Sequence, residues 1–294
     1  MKILIAGLNK KRQFLRIKEE GEKRGHTVEG CLASDLIIEA SEDKFDARLA
    51  DGRKLQDYDL IYLIVGNRLW EWYTAALYVN KKYKVRIVNK KAIDPAYNFY
   101  LTPAIDYLKQ FEESIPFSKS AVIFSSGSID LVMKKFSFPV ILKTSQGHRG
   151  EGVYKIENID DLKKKVDEIT MHMKSCIIRE FIPNDGDVRV FTVGYKVIGA
   201  MKRTPKIGDF RSNISQGGSG EVFDLSKNKE IKELAEKTAK LMQTEIAGVD
   251  IIINKDTNKP YVLEVNPGPQ LDGLETYTKV NAAKEIIKYF ESLE

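Results

Sequence analysis

The chain has 294 residues, 43% hydrophobic and 30% charged, and its 47 Lys plus Arg against 42 Asp plus Glu leave a net charge of +5. Those proportions exclude a disordered chain and leave room for about two domains around a large core. A charge of this size suits an anionic small ligand and a nucleic acid equally. Cys31 and Cys176 stand alone in apolar surroundings without CxxC or metal spacing, which implies two buried thiols in a reducing, cytoplasmic setting. The opening "MKILIAG" is too short for a signal peptide, and no later run approaches the roughly 18 apolar residues that cross a bilayer, so no membrane partner is expected.

"MKILIAG" followed by "KKRQFLRIKEEGEKRGHTVEG" predicts a buried strand, a turn and an amphipathic helix that stops near Gly25. "YDLIYLIVG", "WEWYTAALYVNKKY" and "VRIVN" continue as strand, helix and strand, so a parallel sheet with crossover helices is expected over 1–90. Gly7 alone makes no dinucleotide fingerprint and reads as a tight turn. Next, "AIDPAYNFYLTPAIDYLKQFEESIPFS" has helical stretches punctuated by Pro95, Pro103 and Pro116. "SAVIF" reads as a strand, "SIDLVMKKF" as a short helix, and "FPVILKTSQGHRGEGVYKIEN" as two strands around a loop with Gly147, Gly150 and Gly152. With Lys143 ending the first of these strands, the loop either cradles phosphate on its backbone N–H groups or is an ordinary hairpin tip. Of the histidines, only His148, in this loop, is a candidate phosphate contact.

A helix over 160–173, a strand in "SCIIREFIP" and two strands around Gly194 in "DVRVFTVGYKVIGAMKR" follow. "NKEIKELAEKTAKLMQTE" puts Ile231, Leu234, Ala235, Leu241 and Met242 on one helical face. "AGVDIIIN" and "PYVLEVN" are strands joined by "KDTNK", and "TKVNAAKEIIKYFESLE" closes the chain as a helix.

That last hairpin carries the carboxylates. If its turn is centred on Thr257, Asp250 lies opposite Glu264, and alternation puts Asn266 on the same face. Two carboxylates across a ladder repel unless neutralised. A hard divalent cation on nucleotide phosphates is one answer, and a shifted register with one carboxylate in solvent is the other. "GDFRSNISQGGSG" sets Arg211 before a run of glycines, with Arg203 at the end of a strand and Arg189 earlier in the same sheet. These arginines either clamp a phosphoryl or carboxylate group or belong to a solvated basic loop.

Taken in order, "PVILK", the glycine-rich hairpin, "REFIP", "DVRVF", "KRTPKIGDFRSNISQGG", "AGVDIII" and "VLEVNPGPQLDGLE" resemble the ATP-grasp ligases, and most closely the RimK-type glutamate ligases. The resemblance is strong over 138–294 and architectural before that. It implies an α/β fold with a Rossmann-like (pre-ATP-grasp) parallel-sheet domain over 1–90. A two-lobed ATP-grasp unit would follow, its central subdomain over 91–175 and its C-terminal subdomain over 176–294. It implies ATP with its phosphates on Lys143, Gly147 and Gly150, its adenine edge read by a hinge of Arg179, Glu180, Phe181 and Ile182, and its ribose near Asp187. Mg²⁺, or Mn²⁺ in its place, would sit on Asp250, Glu264 and Asn266. Arg203, Arg211, Ser212 and Asn213 would surround the γ-phosphate and an acyl phosphate.

The reaction implied is amide formation: a carboxylate takes the γ-phosphoryl group of ATP, and an amine then displaces phosphate. The amine would be glutamate or another amino acid, and the acceptor a small molecule, a peptide or a protein C-terminus. No nucleic acid is implied as a partner, and homo-oligomers are common in that family. The sequence departs from the family pattern twice. The lysine of a "DK" pair is missing after Asn89, where Tyr100 or Leu101 takes its place, and "EVNPGPQ" sets Pro267 directly after Asn266. A kinase acting on a hydroxyl and a non-catalytic nucleotide-binding module are the alternatives. Arg203, Arg211 and three metal-ligand positions argue against the binding module, because binding alone does not require a transfer apparatus, whereas a kinase would carry much the same phosphate-binding residues.

Overall fold

The computed structural model describes residues 1–7, 12–64, 70–94, 103–144, 152–171, 175–206 and 218–294. The N-terminal strands are β1 (Lys2–Ala6), β2 (Thr27–Cys31), β3 (Leu36–Ala40), β4 (Phe45–Leu49), β5 (Leu60–Leu63) and β6 (Arg86–Val88). β3 and β4 pair as a separate hairpin, and the other four form a parallel sheet in the order β2-β1-β5-β6. Such a sheet is buried on both faces, and alternation sorts its side chains between two cores. Leu4, Ala6, Ile61 and Leu63 pack against Trp72, Ala76 and Val79 of α2 (Trp70–Tyr83). Ile3, Ile5, Tyr62 and Val88 pack against Phe14 and Ile17 of α1 (Arg12–Glu22), and against Ile286, Ile287 and Phe290 of the chain's last helix. The first sheet is therefore covered in part by the far end of the chain. α1 stops at Glu22, and Gly25 follows with φ +80, a left-handed conformation that suits glycine.

A second, antiparallel sheet follows α3 (Pro103–Glu112). It is built from β7 (Ser120–Ile123), β8 (Val140–Thr144), β9 (Val153–Ile156) and β10 (Cys176–Glu180) in the order β7-β10-β8-β9. α4 (Ile129–Met133) and α5 (Ile159–Thr170) cover it, with Ile129, Leu162 and Val166 in its core. Thr144 N donates to Gly152 O at 2.9 Å, closing the β8–β9 hairpin around the glycine-rich loop. β10 begins at the expected division at 175/176 and pairs with β8 and β7, so the hydrogen-bonded unit runs on to Glu180.

The third sheet is antiparallel throughout, in the order β13-β12-β11-β14-β15. Its strands are β11 (Asp187–Val193), β12 (Lys196–Thr204), β13 (Ser219–Val222), β14 (Ile246–Ile253) and β15 (Pro260–Asn266). α6 (Lys229–Leu241) lays Ile231, Leu234, Ala235 and Ala239 on Val188, Val190, Val249, Ile251 and Val262. α7 (Leu271–Thr278) and α8 (Ala282–Glu291) end the chain, α8 capped by Asn281, whose side chain accepts from Lys284 N. A Rossmann-like sheet followed by two antiparallel lobes is the architecture expected from the sequence.

The β14–β15 hairpin has Asp250 opposite Glu264, as the turn geometry predicts, but it reaches that register by another route. Near the turn Ile253, Ile252 and Ile251 face Pro260, Tyr261 and Val262, which centres the turn half a residue before Thr257. A bulge at Leu263 then restores the phase, giving Asp250↔Glu264, Val249↔Val265 and Gly248↔Asn266. Without the bulge Leu263 would face Asp250, and Glu264 would turn to the core side.

Among the described residues no helix is long and apolar enough to cross a membrane. Both cysteines are free and buried. Burial pushes the Cys31 thiol up to about 12 and the Cys176 thiol up to about 11.

Candidate active site

Arg189, Asp250 and Glu264 lie in one row across β11, β14 and β15, and Asp187 and Arg203 are cross-strand partners on the same face. Cross-strand register brings these charges together, since directly opposed residues share a face. Arg189 holds Asp250 in a fork, Nε to Oδ1 at 2.7 Å and Nη2 to Oδ2 at 2.6 Å. Arg203 holds Asp187 the same way, at 2.5 and 2.7 Å, and its Nη2 also lies 3.0 Å from Asp250 Oδ2. Asn266 Nδ2 donates to both carboxylates of the hairpin, to Asp250 Oδ2 at 3.2 Å and to Glu264 Oε1 at 3.1 Å. Lys143 arrives from the second sheet and places Nζ 2.9 Å from Glu264 Oε2. Three carboxylates thus meet three cations, which removes the repulsion that Asp250 and Glu264 would otherwise suffer.

The electrostatics follow from that pairing. The Lys143 charge, with further help from Arg189 and Asn266, holds the Glu264 carboxyl far below the usual carboxylate range despite partial burial. Burial pushes Asp187 up to about 6 against the pull of Arg203, and the nearby charge of Asp250 adds to the rise. Burial alone would lower the Arg203 guanidinium, but the charges of Asp250 and Asp187 outweigh it and raise its pKa.

Among the described residues no three His, Cys, Asp or Glu side chains form a group that could hold a metal by themselves. Asp250 and Glu264 supply two carboxylates, and Asn266 carries an amide oxygen beside the Nδ2 that bridges them. An all-oxygen donor set of this kind fits a hard divalent cation such as Mg²⁺.

The other expected residues fall in several places. Glu180 ends β10, its backbone N–H donating to Lys119 O at 2.9 Å. Phe181 lies beneath Lys155 Nζ, 4.8 Å from the ring centroid. Ile182 is buried, and its carbonyl accepts from Asn184 Nδ2 at 2.7 Å. Arg179 points Nη2 at Tyr107 Oη, 2.9 Å away, and at the carbonyl of the bulge residue Leu263, 3.4 Å away. Asp187 has both carboxylate oxygens in the Arg203 fork. Arg211, Ser212, Asn213, Gly147, Gly150 and His148 lie outside the described residues, as do Tyr100 and Leu101.

Sequence reasoning placed Arg189 in the sheet without seeing that it faces Asp250 directly, a fact that only the β11–β14 register supplies. It also missed the N-terminal residues that grip the chain just beyond Asn266. Tyr62 Oη and Asn89 Nδ2 both donate to Pro267 O, at 3.1 and 2.7 Å, and Gln13 Nε2 donates to Pro269 O at 3.0 Å. Those partners are too far apart in the chain for any local signal.

Residues 102–290, well over half of the chain, match the RimK-like ATP-grasp domain. The chain belongs to the RimK-like ATP-grasp family. A curated relative from Vibrio atlanticus (strain LGP32), named "Probable alpha-L-glutamate ligase", is 31% identical over 286 residues, which cover 94% of this chain and 90% of the relative. The ATP-grasp ligase PsnB, solved with a minimal precursor, shares the fold at a TM-score of 0.73 and 18% identity, over 99% of each chain. A RimK domain protein from Sphaerobacter thermophilus DSM 20745 gives a TM-score of 0.70 at 18% identity, over 98% of this chain and 99% of that one. The activity of this family member is ATP-dependent carboxylate–amine ligation.

Proposed function

We propose that this ligase joins glutamate, or another amino acid, to a carboxylate on a small molecule, a peptide or a protein C-terminus, with Mg²⁺ held by Asp250, Glu264 and Asn266. The observation that carries the reading is the convergence of those three oxygen-bearing side chains with Lys143, Arg189 and Arg203 on one face. The relatives' name supports glutamate as the amine, and PsnB, solved with a minimal precursor, Mg and ADP, supports the metal and a peptide-like acceptor. Two buried, unpaired thiols suit a reducing, cytoplasmic compartment.

Bound Mg²⁺, or Mn²⁺ in its place, supplies charge neutralisation for the nucleotide phosphates. Lys143 lies at the end of β8, next to the glycine-rich loop, and an anionic phosphate competes with Glu264 for its ammonium group. Arg203 is buried and braced by Asp187, so its positive charge meets developing negative charge with no reorganisation. Arg211, Ser212 and Asn213 are assigned to the γ-phosphate, Gly147 and Gly150 to the other phosphates, and Glu180, Phe181 and Ile182 to the adenine edge. The acceptor carboxylate attacks the γ-phosphorus, the bond to the β-phosphate oxygen breaks, and ADP leaves an acyl phosphate. The amine attacks the acyl carbon, loses a proton, and inorganic phosphate departs as the amide forms.

The test is ADP release with Mg-ATP and each common amino acid, followed by mass spectrometry of the protein and of added acceptors. The expected result is ADP formation that depends on glutamate, with a mass gain of one amide-linked residue. A stable phosphate ester as product would make the protein a kinase. ATP binding without ADP release for any acceptor would make it a binding module.

A further inference from the structure

β14 and β15 separate beyond the pair Gly248↔Asn266, and the open end of the hairpin meets a residue from the N-terminal sheet. Asn89 follows β6 directly and is 3% exposed. Its Nδ2 donates to the carbonyl of Pro267, the residue after Asn266, at 2.7 Å. Its Oδ1 accepts from the backbone N–H of Ile246, the first residue of β14, at 3.1 Å. A single buried amide therefore joins the two strands that carry Asp250, Glu264 and Asn266. Asn89 does so from a left-handed backbone (φ 67, ψ 77), a conformation that asparagine tolerates better than most side chains.

The surroundings repeat the same grip. Tyr62 Oη donates to the same Pro267 carbonyl at 3.1 Å, and Gln13 Nε2 takes Pro269 O at 3.0 Å. Lys90 N donates to Glu245 Oε2 at 2.7 Å, just before β14 begins. Gly268 lies so close to Ile64 that an added Cβ would fall 2.1 Å from its Cγ2. Proline has no N–H with which to continue the ladder, so β15 would fray after Asn266 unless the Pro267 carbonyl were anchored from elsewhere. A ligating side chain can be no better placed than its backbone.

We propose that Asn89, assisted by Tyr62, is a positioning residue for the cation site: it pins the open end of the β14–β15 hairpin so that Asn266 stays converged with Asp250 and Glu264. Cation affinity is thereby tied to the seating of the N-terminal sheet against the last lobe. The inference rests on the reading of Asp250, Glu264 and Asn266 as the metal ligands.

Direct binding of Mn²⁺ in the presence of ADP, followed through the spectroscopic signal of free Mn²⁺, tests it apart from turnover. The full chain is compared with Asn89→Gly, which suits the left-handed backbone and removes both hydrogen bonds, with Tyr62→Phe, which removes one donor and keeps the ring, and with Glu264→Gln. Loss of a group bonded to a metal ligand itself typically weakens binding about 10–100-fold, and Asn89, which acts on the backbone beside Asn266, belongs at the lower end of that range. The expected result is a loss of at least about tenfold for Asn89→Gly and several-fold for Tyr62→Phe, with ADP affinity measured without metal unchanged. If Asn89→Gly does not fold, as judged by its melting curve, Tyr62→Phe decides alone. Wild-type Mn²⁺ affinity in the folded Asn89 and Tyr62 variants, beside a weakened Glu264→Gln, would overturn the positioning role and leave the ligand assignment standing. Wild-type affinity in Glu264→Gln would remove the ligand assignment, and the positioning role with it.

Discussion

Replacing Arg203 with Met removes the fork that holds Asp187 and one of the two guanidinium groups on Asp250. Asp250 keeps Arg189, whereas Asp187 is left buried without another hydrogen-bonding partner for its charge among the described residues. Breaking one side of a buried ion pair costs about 3–5 kcal/mol, because the remaining charge stays desolvated. The cost depends on pH. Burial already pushes Asp187 up to about 6 with Arg203 in place, so the folded protein holds that proton more tightly than the unfolded chain does. The stability it contributes is complete below the unfolded value of about 3.9 and is lost as pH rises through the folded value. In the variant the folded value rises further and the window of loss moves up. The deficit relative to wild type should therefore grow from pH 5.5 to pH 8, with a limiting slope of about 1.4 kcal/mol per unit. Urea denaturation at fixed ionic strength should give a deficit of about 3–5 kcal/mol at pH 8, smaller by roughly 1–3 kcal/mol at pH 5.5. Adding Asp187→Asn to Arg203→Met should recover much of the loss and flatten its pH dependence, since no buried charge remains at that position. A deficit below about 1 kcal/mol, or one equal at both pH values, would show that Asp187 and Arg203 do not form a desolvated pair.

Gly268→Ala would set a Cβ 2.1 Å from Ile64 Cγ2, and the overpacking should cost about 1–3 kcal/mol in chemical denaturation, with the loss concentrated where the first sheet meets the last lobe. Cys31 and Cys176 are buried with thiols pushed up to about 12 and about 11, so an aromatic disulfide reagent at pH 8 should titrate neither in the native protein and both in urea; prompt native labelling would contradict the described cores. The Arg24 and His26 hydrogen bonds hold Glu291 down to about 2, tying the last helix to the start of the chain. A depressed carboxylate contributes stability above its unfolded value that is lost as pH falls through the folded one, so Glu291→Gln should lower the melting temperature at pH 6 and lose less on acidification to pH 3 than wild type does.

Much of the candidate site's geometry was legible because its signals are local. The spacing of Asp250, Glu264 and Asn266 about a short turn, the strand that carries Lys143 near its end and the glycines after it lie within single hairpins, where period-two alternation is enough to assign faces. Even there the agreement had a hidden part. The turn centre was off by half a residue, and the bulge at Leu263, for which the sequence offers no marker, brought Glu264 back opposite Asp250. The β3–β4 hairpin, β13 and α7 carried too little periodicity to be anticipated.

By itself the sequence determined the order of most strands and helices, the free and buried thiols, and the motif series that identifies an ATP-grasp ligase, because periodicity and close spacing are properties of neighbouring residues. Only the tertiary structure decided that Arg189 faces Asp250, that Arg203 is braced by Asp187, that α8 closes the first sheet, and that Asn89 clasps both strands of the carboxylate hairpin. Apart from the Asp187–Arg203 pair, which spans one hairpin, those contacts join distant segments: sheet register sets the ion pairs, apolar burial seats α8, and Asn89 satisfies backbone groups at the open end of the β14–β15 hairpin.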